Sequence, residues 1–104
     1  MSTRNHVTEL AVLSIQPEKG AAFGAAFASV AGLVASAEGH IRHRLVPSVD
    51  RADVYLLEVD WTDLAAHVEG FEPSDAHARF MASLEPFLAA EPFVIHVPSC
   101  SGSG

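Results

Sequence analysis

The chain has 104 residues, 49% of them apolar and only 18% charged, with 13 Asp and Glu against 6 Lys and Arg and a formal charge of −7. That length suits one domain, expected over residues 1–98, and the acidic balance argues against nucleic acid and anionic membranes, whose recognition depends on Lys and Arg. The single Cys100 excludes an intrachain disulfide and a cysteine zinc site. No apolar run reaches the length of a membrane span, and the first residues lack a signal-peptide pattern, so a cytoplasmic protein is expected.

The first element is a strand, Val7 to Ile15. Val7, Ala11, Leu13 and Ile15 share one parity while Leu10 and Val12 hold the other, and a strand apolar on both faces expects cover on both. Pro17 then opens a helix over Glu18 to Ala37, with Phe23, Phe27, Val30 and Val34 along one face. Gly39 is a natural stop beyond its end. "HIRHRLV" (His40 to Val46) and "VYLLEVDW" (Val54 to Trp61) read as a hairpin about the polar loop "PSVDRAD". In the second of these strands Tyr55, Leu57, Val59 and Trp61 share a face.

Thr62 can cap a short helix with Leu64, Val68 and Phe71 as its apolar stripe. Ser74 can cap another, with Phe80, Leu84 and Leu88 facing inward and Pro86 limiting the regularity of its end. A last strand, Phe93 to Val97, precedes "PSCSGSG", and 99–104 is expected to be a disordered tail. The order β-α-β, β-α-β predicts an α+β, ferredoxin-like βαββαβ fold, a four-stranded antiparallel sheet with helices on one face. Its other face is apolar enough to expect a homodimer through the sheet.

In that order the chain resembles the antibiotic biosynthesis monooxygenase family of the dimeric α+β barrel superfamily. The carriers are "VTELAVLSIQPEKGAAF", "EGHIRHRLV", "LLEVDWTDLAAHVEGFEPSDAHARF" and "PFLAAEPFVIHV", together nearly everything but the tail. The resemblance implies oxidation of an aromatic hydroquinone or polyphenol by O2, with no flavin, haem or metal. The protein's work would then be to bind the aromatic substrate, favour its deprotonated form and exclude water. Trp61 matches a tryptophan common at this strand end, facing the cavity. Where such enzymes often carry an asparagine four residues earlier on the same strand face, this chain has Leu57. The haem-degrading branch fits worse: Glu9, the neighbourhood of Gly70, and Phe80 or Met81 stand where its asparagine, tryptophan and histidine belong.

Six histidines invite a metal, but no zinc-type spacing is present. His40 and His43 lie three apart on a strand, which should turn them to opposite faces. His67 borders the apolar stripe of its helix and His77 precedes Phe80 by three, so both can look into a cavity beside Trp61. Each is a candidate base or a half-buried histidine bonded to backbone. His96 is expected on the far sheet face, in the dimer interior, with Glu58, Arg42 or Arg44 as partners.

The leading reading makes Trp61 the residue that stacks on or seals the substrate, His67 the base and His77 its assistant. Tyr55, Leu57, Phe71 and Phe80 are the expected substrate-binding wall, with Trp61 also readable as plain core. The rival readings are a non-catalytic dimeric module that binds a hydrophobic small molecule, which Leu57 favours, and a proton-transfer enzyme, isomerase-like, on the same barrel.

Overall fold

The computed structural model describes residues 5–99. Strand β1 (Val7–Ser14), helix α1 (Gly20–Ala35), β2 (His40–Pro47), β3 (Val54–Trp61), a π-helical turn (Ala66–Phe71), α2 (Asp75–Leu84), a 3-10 turn (Glu85–Phe87) and β4 (Phe93–Pro98) follow in that order. The strands form one antiparallel sheet in the order β2-β3-β1-β4, the expected ferredoxin-like topology. Of the tail, Ser99 donates its backbone N–H to the His6 carbonyl oxygen, and the rest lies outside the described residues. No helix among the described residues is long and apolar enough to cross a membrane.

Alternation along the strands selects the inner face. In the β1–β3 register Glu9 stands opposite Val59, Ala11 opposite Leu57 and Leu13 opposite Tyr55. These residues share a face with Trp61, as the period of two requires. Helix α1 lays Phe23, Phe27 and Val34 over them, and α2 adds Phe80 and Leu84, so the core is closed between sheet and helices. Ser74 caps α2 as expected, its Oγ accepting from the His77 backbone N–H at 3.1 Å. The other sheet face carries Leu10, Val12, Phe93 and Ile95, of which Val12, Phe93 and Ile95 are exposed in the single chain.

Three local expectations are corrected. His40 and His43 do not point apart. A register shift between His40 and Arg42 inserts one residue, which resets the alternation so that His40 faces Trp61 and His43 faces Val59. Their rings meet, Nε2 of His40 lying 2.8 Å from Nδ1 of His43. The short helix is capped by Asp63, whose Oδ1 accepts from the Ala66 N–H at 2.8 Å, while Thr62 gives its own N–H to the Gly39 carbonyl.

That segment also winds as a π-helix, closing an i→i+5 bond from Glu72 N–H to the His67 carbonyl at 2.8 Å. The wider turn carries His67 and Phe71 inward together. It leaves Leu64 and Val68 outside, 47% and 40% exposed, so the expected Leu64–Val68–Phe71 stripe is replaced by His67 and Phe71.

Candidate functional site

Between the sheet and α2 lies a cavity of about 220 Å³. Its floor is the inner sheet face, Ala11, Leu13, Leu57, Val59 and Val94, and its walls are Val34, Phe71, Phe80, Met81 and Leu84. Only Glu9, His67, Glu72 and His77 bring ionisable groups to this apolar lining. A few polar groups converging on an apolar hollow is the usual form of a small-molecule site.

Each of these groups is held by the element that carries it. Glu9 is the one charged residue on the inner face of β1, at a position where the strand period calls for an apolar side chain, and it is 7% exposed. Trp61, directly across the Val7 pair at the end of β3 and 0% exposed, donates its indole Nε1–H to Glu9 Oε1 at 3.0 Å. The His67 ring stacks on that indole, centroids 5.0 Å apart and 15° between planes. His67 is 3% exposed, with Nε2 lying 3.4 Å from Glu9 Oε1 and 3.8 Å from Glu72 Oε2. Its other nitrogen, Nδ1, meets Nε2 of His96 at 2.7 Å. His77 packs edge-on against Phe71, whose ring leans on Trp61.

Burial governs the protonation of the central pair. It pushes the Glu9 carboxyl up to about 7, with the Glu72 charge adding to the rise and the Trp61 N–H opposing it. Burial also pushes His67 down to about 4, helped by the neighbouring imidazoles of His96 and His77. At neutral pH the imidazole is therefore uncharged, and the carboxyl is divided between its acid and its carboxylate. A carboxylate balanced near pH 7 is a better general base than one at its ordinary value, because its conjugate acid is strong enough to return the proton and weak enough to keep it.

The expected site residues divide accordingly. His67, His77, Leu57, Phe71 and Phe80 all line the cavity. Trp61 stands behind His67 rather than in the lining; its bulk and N–H position Glu9 and His67. Tyr55 lies at the far end of β3, packed on Phe23 with its hydroxyl beside Gly20, away from the cavity. His96 is turned inward with Glu9, its register partner across β1–β4, and bonds His67; Glu58 and Arg44 pair with each other on the outer face, and Arg42 pairs with Asp60. Glu9 was visible in the sequence only as a mismatch to the haem-degrading branch. Its signal was a lone acidic side chain at the inward parity of a strand otherwise apolar on that face. Among the described residues no three His, Cys, Asp or Glu side chains are grouped to hold a metal ion.

Comparison with known proteins gives a consistent picture. The family model for antibiotic biosynthesis monooxygenase matches residues 6–83. The uncharacterised protein YczJ of Bacillus subtilis strain 168 is 33% identical over 90 residues, covering 86% of this chain and 95% of its own length. A Bordetella bronchiseptica protein described as a candidate antibiotic biosynthesis monooxygenase superposes with a TM-score of 0.88 at 26% identity, covering 92% of this chain and 98% of that one. SnoaB, a cofactor-independent oxygenase from Streptomyces nogalater, shares the fold with a TM-score of 0.74 at 20% identity, over 94% of this chain and 98% of its own.

Proposed function

The chain belongs to the antibiotic biosynthesis monooxygenase family, and on that premise we propose that it is a cofactor-independent monooxygenase acting on a small aromatic hydroquinone or phenol. One observation carries the reading: a buried carboxyl, raised to about 7, opens into an aromatic-walled cavity. SnoaB is a cofactor-independent oxygenase with the same fold, which supports the oxygenase chemistry. The cavity of about 220 Å³ is smaller than the ~300–1,000 Å³ of ordinary ligand pockets, which favours a one- or two-ring substrate over a larger polycycle.

In this reading the substrate's ring lies against Phe71 and Phe80 with its acidic hydrogen toward Glu9. The carboxylate takes that proton, and the aromatic anion gives one electron to O2. Radical and superoxide combine to form a C–O bond, and the peroxide takes a proton back. Its O–O bond breaks as the second substrate hydrogen leaves, giving a carbonyl and water. The sum is AH2 + O2 → AO + H2O, with four electrons passing from substrate to oxygen.

His67, the expected base, is uncharged and held against Glu9, so it serves as the partner through which Glu9 is loaded and discharged. His77 sits at the cavity wall where it can orient a substrate hydroxyl. Leu57 keeps the floor apolar where relatives often place an amide, so the anion is stabilised from the Glu9–His67 side. We extend the proposal to a homodimer in which the outer sheet face, with Val12, Phe93 and Ile95 exposed, is covered by a second copy.

The test is oxygen uptake with anthrone, 1,4-naphthohydroquinone and catechol, in the presence of a metal chelator, for the wild type and Glu9→Gln. Uptake that survives chelation and falls by about a hundredfold in Glu9→Gln supports the reading. Binding of these compounds with no uptake above the uncatalysed rate would move it to the non-catalytic binding module, which Leu57 favours. Hydrogen–deuterium exchange into a bound substrate without O2 consumption would identify the proton-transfer enzyme.

A further inference from the structure

Glu9, His67 and His96 lie in a line that begins at the cavity and ends elsewhere. Glu9 and His67 line the cavity. His96 lines a separate, open hollow beside Asn5, His6, Asp63 and Leu64, and the two hollows share no lining residue. The links are 3.4 Å from Glu9 Oε1 to His67 Nε2 and 2.7 Å from His67 Nδ1 to His96 Nε2. Trp61 Nε1–H, which can only donate, hydrogen-bonds to the same Glu9 Oε1 and holds the carboxyl in place.

Donor and acceptor counting allows two states of this line. With Glu9 ionised, His96 Nε2–H donates to His67 Nδ1 and His67 Nε2–H donates to Glu9. With Glu9 protonated, the carboxyl donates to His67 Nε2, and His67 Nδ1–H donates to His96 Nε2. Passing from one state to the other moves one proton from Glu9 to the His96 ring, across the 2.7 Å His67–His96 hydrogen bond and the longer 3.4 Å Glu9–His67 contact, with one donor facing one acceptor at each link.

We propose that Glu9, His67 and His96 form a proton conduit between the cavity and the open hollow, with His96 as its outer station. The proposal rests on the oxygenase reading of the cavity. Its use there follows from the chemistry. A proton left on Glu9 beside a fresh aromatic anion would return to it before O2 arrives. Moving it outward separates the charges, and the same line brings one proton back for the peroxide, so none is gained or lost overall. The charged and titratable neighbours of His67 are Glu9 on β1, Glu72 after the π-helical turn, His77 on α2 and His96 on β4, and those at the outer hollow are His6 and Asp63. His96 meets solvent and not substrate, so it acts through His67 as a positioning residue.

The conduit is tested first without substrate, on the whole chain labelled with 15N-histidine. Ring nitrogen spectra across pH 5–8 should show the tautomers of His67 and His96 exchanging together, and Glu9→Gln should abolish the exchange. A His96 ring that titrates as an isolated imidazole, indifferent to Glu9→Gln, overturns the proposal. The second arm uses oxygen uptake with 1,4-naphthohydroquinone. His96→Gln keeps a hydrogen bond to His67 but cannot pass a proton, and should lower kcat about tenfold with KM unchanged. His96→Ala should recover turnover when imidazole is added through the open hollow. Wild-type kinetics in His96→Gln would overturn the conduit while leaving the oxygenase standing. If no probe is turned over by the wild type, the oxygenase reading falls and the nitrogen spectra alone decide the conduit.

Discussion

Replacing Glu9 by Gln should make the protein more stable above neutral pH while removing its activity. The carboxyl rises from 4.5 to about 7 on folding, chiefly through burial. The folded state thus holds a proton that the unfolded state has already released anywhere between those values. Because the folded state binds more protons there, stability falls as pH rises through that window. The rise from 4.5 to about 7, at about 1.4 kcal/mol per pH unit, gives a penalty of about 3 kcal/mol once the pH is above 7, and almost none near pH 4.5. Gln is nearly isosteric, keeps an oxygen for the Trp61 N–H, and carries no ionisation to penalise.

His67 has the opposite slope, since its depressed pKa of about 4 costs stability as pH falls below 6.5. That contribution is common to both proteins and cancels in the difference. Urea unfolding of wild type and Glu9→Gln at pH 5, 6, 7 and 8 should therefore give a gap that opens with pH, in favour of the variant. A gap that stays constant from pH 5 to 8, or one in favour of the wild type, would refute the assignment of a strained, proton-holding carboxyl. Stability gained with activity lost is also the pattern expected of a functional group rather than a structural one.

Trp61→Phe removes the indole N–H that lowers the Glu9 pKa and opens space behind His67, so it should cost about 2 kcal/mol in urea unfolding and move the pH–rate profile toward alkaline values. Gly39→Ala should cost about 2 kcal/mol or more, because the residue has φ +91° and an added Cβ would lie 2.5 Å from Ala66 Cβ; thermal unfolding checks it. Ile95→Lys on the outer sheet face should shift the sedimentation coefficient from dimer to monomer at fixed concentration without altering the near-UV spectrum of Trp61.

Strand order, helix faces and the Ser74 cap were legible because each depends on local periodicity, and the strands announce their inner faces by parity. Two of the failures share one cause: a single residue added to a regular repeat. The extra residue near Ile41 turned His40 onto the same face as His43, and no residue in "HIRHRLV" marks that insertion. The π-helical turn did the same to His67, moving it from the border of a stripe to its centre. In both places the backbone gives up regularity beside Trp61, whose indole meets the ring of His40 edge-on and stacks with that of His67.

The site itself was half legible, and the missing half is the more informative. His67 and His77 were found because histidines on apolar faces are conspicuous, but their expected role as bases came from ordinary solution values. Burial reverses that ranking: the same desolvation that pushes His67 down to about 4 lifts Glu9 to about 7. Glu9 and His67 are 58 positions apart in sequence, and their meeting depends on β1–β3 pairing and the π-helical turn acting together. His96 joins them only because β4 pairs with β1 in the register that sets it opposite Glu9. Two strand registers and one irregular turn therefore bring a carboxyl and two imidazoles together, and altering any one of the three would take a member out of the cluster. The protonation balance of this cluster belongs to the tertiary structure, which is why an acidic residue at an inward strand position was the strongest signal the sequence could offer for it.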